Sequence, residues 1–334
     1  MKISASIYSS KENDLKSLVK KLDAHKIDYF HIDCNDDLGV FDDISTIREV
    51  SNTPIDLHII SPGPEKFFPF IKQHQIEQVT FQYEDLHRKL EVPGDIGSKL
   101  GLSITAGTPL DVFEGYKDRF SFILFMATTP GQSGGRFNKE TFRNIRKFKK
   151  RFPGAKIHVD GGVNAELSFI LRNMGVRLAV VGSYLFKSAY VGASLLNLKS
   201  DDIKSHYLVK EFMLTENLPT LPMSGNGFHE VLLSIEKHNM GFTMVVDEDN
   251  RLEGIITNAD VRRGLINNFN DFSNIKIDNI INRNPVFIKE NKTVSELLHL
   301  VKNLSFPLLY LPVTDNRKHV VGAITFNNLI KGES

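Results

Sequence analysis

Short apolar runs punctuate the first part of the chain. They are ISASIY (3–8), YFHIDC (29–34), IDLHII (55–60), QVTFQY (78–83), LSITA (102–106), FSFILFM (120–126), KIHVDG (156–161) and LAVVGS (178–183). Their length and their β-branched and aromatic content predict strands. Helix-period stretches lie between them. Leu15, Leu18, Val19 and Leu22 share one helical face, as do Leu167, Ile170, Leu171 and Met174. Asn164 stands where an N-cap belongs and Gly175 where that second helix should end. Strands alternating with helices predict an α/β fold with a parallel sheet. Eight such units, taken to fill residues 1–192, predict a compact (β/α)8 TIM barrel. A doubly wound open sheet fits less well, because the count reaches eight and no GxGxxG follows the first strand.

Residues 193–215 fit neither rhythm, and the charged SDDIKSHYLVKEF reads as a linker or connecting helix. Beyond it the pattern repeats. MVVDEDNRLEGIITNADV (244–261) aligns with PVTDNRKHVVGAITFNNL (312–329) at a constant shift of 68 residues. Each copy reads as a strand, an acidic turn, a second strand ending in Ile-Thr, and the start of a helix. Val294, Leu297, Leu298 and Val301 form an apolar helical face upstream of the second copy, and Phe228, Leu232 and Ile235 upstream of the first. A duplication of this kind buries a shared interface between two similar units. The copies are assigned to residues 216–270 and 278–334.

Bulk properties narrow the function. A chain of 334 residues accommodates two domains. Its formal net charge of +1 gives no electrostatic case for nucleic acid or a membrane surface. The six basic residues of RNIRKFKKRF (143–152) therefore read as the solvated face of an outer helix. No apolar run approaches a membrane span, and the opening MKISASIYSSKEND turns charged before a signal-peptide core forms. The single cysteine, Cys34, excludes an internal disulfide framework and a cysteine-based zinc cage. The expectation is a soluble cytoplasmic protein.

Barrel enzymes place their chemistry at the C-terminal ends of the strands. Four ligand-type residues fall there: His31 and Asp33 on the second strand, His58 on the third and Asp160 on the seventh. Two imidazoles and two carboxylates suit a divalent metal, zinc or ferrous iron first, with manganese or cobalt as alternatives. Glycines supply a second signal. TTPGQSGGRF follows strand six, Gly161 and Gly162 follow strand seven, and Gly182-Ser183 follow strand eight. Backbone N–H groups in such loops bind phosphate.

In order along the chain, ISASIY, HIDCND, DLHII, MATTPGQSGG, VDGGV and GSYLF resemble the motifs of the ribulose-phosphate 3-epimerase family. The resemblance covers nearly the whole barrel. It implies that His31, Asp33, His58 and Asp160 ligate the metal and that Asp33 and Asp160 are the acid–base pair. It also implies that Ser6, His58, Met126, Gly134, Gly161, Gly162, Gly182 and Ser183 meet the substrate. The implied reaction is epimerisation at C3 of a ketose phosphate, D-ribulose 5-phosphate to D-xylulose 5-phosphate first, with allulose 6-phosphate as an alternative substrate. A different class of reading is a nucleotide-sensing protein whose barrel has lost activity. The chain departs from the family at Asn35 and Ile60, where methionines are usual, at Asp37 for glycine, at Gln132 and Ser133 in the phosphate loop, and in the shortened LGVFDD. These changes touch the wall around the sugar. His158 shares a face with Asp160 and reads as an interior hydrogen-bonding residue below the metal. Asp56-Leu57-His58 lacks the Asp-x-Lys pair of the related decarboxylases.

The repeat resembles a CBS domain pair, most closely those attached to arabinose-5-phosphate isomerases, through GIITNADVRR and GAITFNN. The resemblance implies an adenine nucleotide held by Thr257 and Asp260 in the first copy and by Thr325 in the second, with Arg262 and Arg263 near its phosphates. Asn328 replaces the acid of the second copy, which implies a weakened site there. The alternative is that the pair serves assembly alone. Both halves resemble families that form homo-oligomers.

Overall fold

The computed structural model describes residues 1–12, 14–132, 134–187, 190–200, 206–304 and 308–325. Ser133 and Asn328 lie outside the described residues. The chain forms two compact units that part near residue 203.

In the first unit all eight apolar runs are strands: β1 (Lys2–Ser6), β2 (Tyr29–Asn35), β3 (Ile55–Ile60), β4 (Gln78–Gln82), β5 (Lys99–Thr105), β6 (Phe122–Met126), β7 (Lys156–Asp160) and β8 (Leu178–Val181). They pair in sequential order, each pair parallel, into a closed barrel. The predicted helices form at Leu15–Ala24 and Ala165–Asn173. Asn164 caps the latter, its side chain accepting from the backbone N–H of Leu167 at 2.9 Å. The alternation is incomplete after β4 and β5. There the chain makes the 3-10 turns Tyr83–Asp85 and Leu110–Gly115, where Pro93, Gly94 and Gly97, then Gly107 and Pro109, interrupt any helical run. The basic stretch lies in the helix Glu140–Arg151, which buries Phe142, Ile145 and Phe148 and exposes Arg143, Lys147, Lys149, Lys150 and Arg151. Phe148 packs edge-on against Phe113 and Phe125, with ring centroids 5.0 and 5.7 Å away, and so pins this helix to the turn Leu110–Gly115 and to β6.

Register places the site. Paired residues on parallel strands point the same way, and residues two apart share a face. Here His31 pairs with Asp56 and Asp33 with His58, Asp56 pairs with Gln78, and Met126 pairs with Asp160. These pairings line polar side chains along the inside of the barrel. The opposite parity carries Ile32 and Cys34 outward, fully buried against the surrounding layer. The Cys34 thiol donates to the backbone oxygen of Asp37 at 3.2 Å.

A helix overlaps the start of the segment expected as a linker or connecting helix. The helix Val191–Lys199 buries Leu195 and Leu198. Ser168 donates to the Leu198 carbonyl at 2.6 Å, and Arg172 to the carbonyls of Lys199 and Ser200. Leu208 and Val209 already belong to the second unit, through a bridge to Thr293 and a hydrogen bond to Lys292.

In the second unit, β9 (Thr220–Pro222), β10 (Phe242–Val246) and β11 (Leu252–Thr257) form one sheet, and β12 (Ile288–Lys289), β13 (Tyr310–Thr314) and β14 (Val320–Thr325) another. The 68-residue repeat is visible as pseudo-two-fold symmetry. Register shifts fall at Val245/Val246 and at Val313/Thr314. The bridge Leu214–Ala323 has its counterpart in Ile255–Asn282. Phe242 and Tyr310, equivalent in the repeat, stack on each other at 4.3 Å. Among the described residues, no helix is long and apolar enough to cross a membrane.

Candidate metal and active site

The four predicted ligands converge. One donor atom from each of His31, Asp33, His58 and Asp160 lies within 4.8 Å of every other. Asp33 Oδ1 is 3.3 Å from His31 Nε2 and 3.2 Å from His58 Nδ1, and Asp160 Oδ2 is 3.8 Å from His31 Nε2. Both imidazoles are buried, while the two carboxylates reach a cavity of about 120 Å³. Ser6, Met126, Gly134, Gly161, Gly162, Gly182 and Ser183 line that cavity together with Asp33 and Asp160. His31 and His58 lie beneath its floor. The barrel residues that the resemblance implies for metal and substrate therefore belong to one region.

The cavity's glycine wall is tightly built. Gly161 has φ +106°, and a Cβ there would come within 2.2 Å of Thr128 Oγ1. At Gly182 a Cβ would come within 2.2 Å of Ser9 Oγ. The absence of a side chain lets these backbones pass so close.

Beneath the ligands lies a second polar layer. Asp56 Oδ2 is 3.0 Å from His31 Nδ1 and accepts from Ser4 Oγ at 2.9 Å, while Oδ1 accepts from Gln78 Nε2 at 2.7 Å. A carboxylate only accepts, so His31 Nδ1 carries a proton and Nε2 faces the two outer carboxylates. On the other side, Gln82 Oε1 is 2.9 Å from His58 Nε2. The sequence reading did not assign Gln78, Gln82 or Ser4, nor a structural role to Asp56. Their signal was present: polar side chains at the inward parity of strands that are otherwise apolar.

The electrostatics favour a cation. Burial lowers the pKa of His31, but Asp33 and Asp56 outweigh it and raise that pKa well above its ordinary value. Burial also opposes ionisation of Asp33, yet the charges and hydrogen bonds of His31 and His58 hold its carboxyl far below the usual range. Asp56 is likewise lowered, burial being overcome by His31 and Gln78. Asp160 goes the other way, pushed up to about 6 by burial with a contribution from Asp33. The constellation thus concentrates acceptors around one point and stabilises positive charge there. A divalent ion fits this donor set and would displace the proton on His31.

His158 is interior, as expected, but its hydrogen bonding is not as expected. Among the described residues its Nδ1 has no hydrogen-bond partner, and the ring stacks on Phe122 at 4.2 Å. Burial lowers its pKa to about 4, so the ring is a neutral packing element.

A model of the ribulose-phosphate 3 epimerase family matches residues 2–186. The chain belongs to that family. It is an epimerase, an isomerase built on the family's barrel. It is 27% identical to the ribulose-phosphate 3-epimerase of Aquifex aeolicus over 164 residues, 47% of this chain and 74% of that one. It is 27% identical to that of Methanocaldococcus jannaschii over 238 residues, 65% of this chain and 98% of that one. A CBS domain model matches residues 209–267 and 277–333. Among solved structures, the CBS domain pair of protein MJ0100, in complex with 5′-methylthioadenosine and S-adenosyl-L-methionine, is 26% identical, with 38% of this chain and 98% of that one covered and a TM-score of 0.32.

In the CBS pair, Thr257 caps the helix Asn258–Asn267 and donates to Asp260 Oδ2 at 2.6 Å. The Asp260 carboxylate also accepts from the Thr257 backbone N–H and pairs with Arg263. These two residues are bonded to each other. Thr325 ends β14, half-buried, without a described partner acid.

Proposed function

We propose that the barrel is a metal-dependent 3-epimerase of a ketose phosphate, with D-ribulose 5-phosphate and D-xylulose 5-phosphate as the first pair to test. The observation that carries this reading is the double placement of Asp33 and Asp160. Each is part of the four-residue donor group, and each fronts the cavity.

Asp33 comes from β2 and Asp160 from β7, strands separated by β1 and β8, so the two carboxylates reach the cavity from different sides. One carboxylate removes the proton from C3 of the sugar, and the electrons pass to the C2 oxygen to give an enediolate. The other carboxyl group returns a proton to the opposite face of C3. Before an ion binds, the two carboxyls already differ: against burial, His31 and His58 lower the pKa of Asp33, whereas burial raises that of Asp160 to about 6. Positioned acid–base groups of this kind contribute roughly 10²–10⁴-fold. A divalent ion held by His31, Asp33, His58 and Asp160 would supply positive charge beside the developing oxyanion. The amides of Gly161, Gly162, Gly182 and Ser183 hold the substrate phosphate at the glycine wall, and Ser6 and Met126 bound the sugar.

The test is a panel of ribulose 5-phosphate and allulose 6-phosphate offered to wild-type protein and to Asp33→Asn. The reading expects one of the two sugars to be epimerised by wild type and the variant to lose about 10²-fold or more of that activity. Full activity in Asp33→Asn would overturn the assignment. For the CBS pair we propose binding of an adenine nucleotide that regulates the barrel. Added AMP or ATP should then raise the melting temperature, as linkage requires, and an unchanged Tm leaves assembly as its role.

A further inference from the structure

His58 is held from behind by a relay that ends outside the metal group. Its ring is fully buried, and so is Gln82, at 1% exposure. Gln82 Oε1 lies 2.9 Å from His58 Nε2. A primary amide can turn either end toward a ring, so its other neighbour decides. That neighbour is Glu84: Gln82 Nε2 donates to Glu84 Oε2. Glu84 is itself fixed by the end of β5. Its Oε1 accepts from the Thr105 backbone N–H at 2.8 Å, from Thr105 Oγ1 at 3.0 Å and from the Thr108 hydroxyl. Burial works against ionisation of Glu84, but these hydrogen bonds outweigh it and hold its carboxyl below the usual range.

An ionised carboxylate has no hydrogen to give. The Gln82 amide must therefore turn its NH2 to Glu84 and its oxygen to His58. His58 must then carry a proton on Nε2, which makes Nδ1 the nitrogen presented to Asp33. It faces Asp33 Oδ1, an acceptor, at 3.2 Å. That contact is satisfied by a proton on Nδ1 or by a metal ion in its place. His31 solves the same problem with the opposite nitrogen: Nδ1 is protonated against Asp56, and Nε2 is presented.

Resting on the metal-site reading above, we propose that Gln82, oriented by Glu84, is a positioning residue that fixes the tautomer and tilt of His58 for metal ligation. The relay ties the end of β5, through Thr105 and Thr108, to a ligand on β3. Asp56 plays the equivalent part for His31, so the two imidazoles are set by chemically different partners, an amide on one side and a carboxylate on the other.

The test uses the full chain, stripped with a chelator and titrated with Zn(II) against a competing chelator. Three variants are compared: Gln82→Met, which keeps the size and removes the hydrogen bonds, Glu84→Gln at the exposed end of the relay, and Asp33→Asn. Losing such outer partners costs roughly 10- to 100-fold in metal affinity, so Gln82→Met and Glu84→Gln should each raise the zinc Kd by that factor. The Co(II) absorption bands should change in both, while the Tm of the stripped proteins stays near wild type. At saturating zinc, KM for the sugar phosphate should be unchanged. Wild-type zinc affinity and cobalt spectra in both variants, with Asp33→Asn losing zinc, would overturn the relay and leave the metal site standing. Failure of wild type itself to bind zinc, or full binding by Asp33→Asn, would overturn the metal-site reading and the relay with it.

Discussion

His31 and Asp56 face each other across β2 and β3, Nδ1 to Oδ2, at 3.0 Å, and both are buried. Ser4 and Gln78 complete the shell of Asp56, so this carboxylate depends on the hydrogen that His31 Nδ1 gives it. Removing one member of a buried pair strands the other and costs about 3–5 kcal/mol. The chelator-treated Asp56→Asn variant should lose that much in a urea titration at pH 6. The His31 pKa is raised in the fold, so its share of stability is present below the unfolded value and is lost as pH rises through the folded one. The gap between wild type and variant should therefore narrow at alkaline pH. An unchanged urea midpoint at pH 6 would show that the pair contributes nothing.

His158 supplies a pH dependence of the opposite sign. The unfolded ring titrates near 6.5 and the folded one near 4, so protons bind the unfolded chain first. Stability is lost as pH falls from about 6.5 to about 4, by at most about 3 kcal/mol. His158→Gln cannot titrate. It should gain on wild type over that window when both are followed by thermal melts of the metal-free proteins. Parallel pH profiles would refute the account of a ring that stays neutral in the fold.

The glycine wall makes a substrate-level prediction. In Gly161→Ala the added carbon meets Thr128 Oγ1 at 2.2 Å and the Thr128 backbone nitrogen at 2.7 Å, at a φ of +106°. Strain of this kind costs about 1–3 kcal/mol. The variant should show a raised KM for the phosphorylated sugar with zinc affinity retained. A normal KM would place the phosphate elsewhere.

The eight strands and the four ligand-type residues were legible because two periods coincide in this sequence. Apolar runs mark where strands lie, and polar side chains at their ends break the apolar rule at one parity. HIDC shows both, with His31 and Asp33 inward and Ile32 and Cys34 outward. Asp56, Gln78 and Gln82 were less legible because their meaning comes from register: a lone inward glutamine has no reading until pairing sets it beside another strand's side chain. The missing helices after β4 and β5 follow from prolines and glycines that the strand–helix rhythm smoothed over. The helix Val191–Lys199 was hidden by its small and mixed residues. Its packing, through Ser168 and Leu198, has no local sequence signal.

In the CBS pair, Thr257 both caps a helix and bonds Asp260. Thr257→Ala removes the cap and should cost about 1 kcal/mol. Amide hydrogen exchange should speed up in the helix Asn258–Asn267 and be unchanged in the barrel. Unaltered protection of that helix would mean that the cap is replaced.

The central claim is proton transfer at C3 by Asp33 and Asp160. It is tested most directly by incubating the metal-loaded protein with D-ribulose 5-phosphate in D2O and following C3 by NMR. The account predicts that deuterium enters at C3 as D-xylulose 5-phosphate appears, and that both processes are lost in Asp33→Asn and in Asp160→Asn. Retention of hydrogen at C3 in a product that nevertheless forms, or undiminished exchange in both variants, would contradict it.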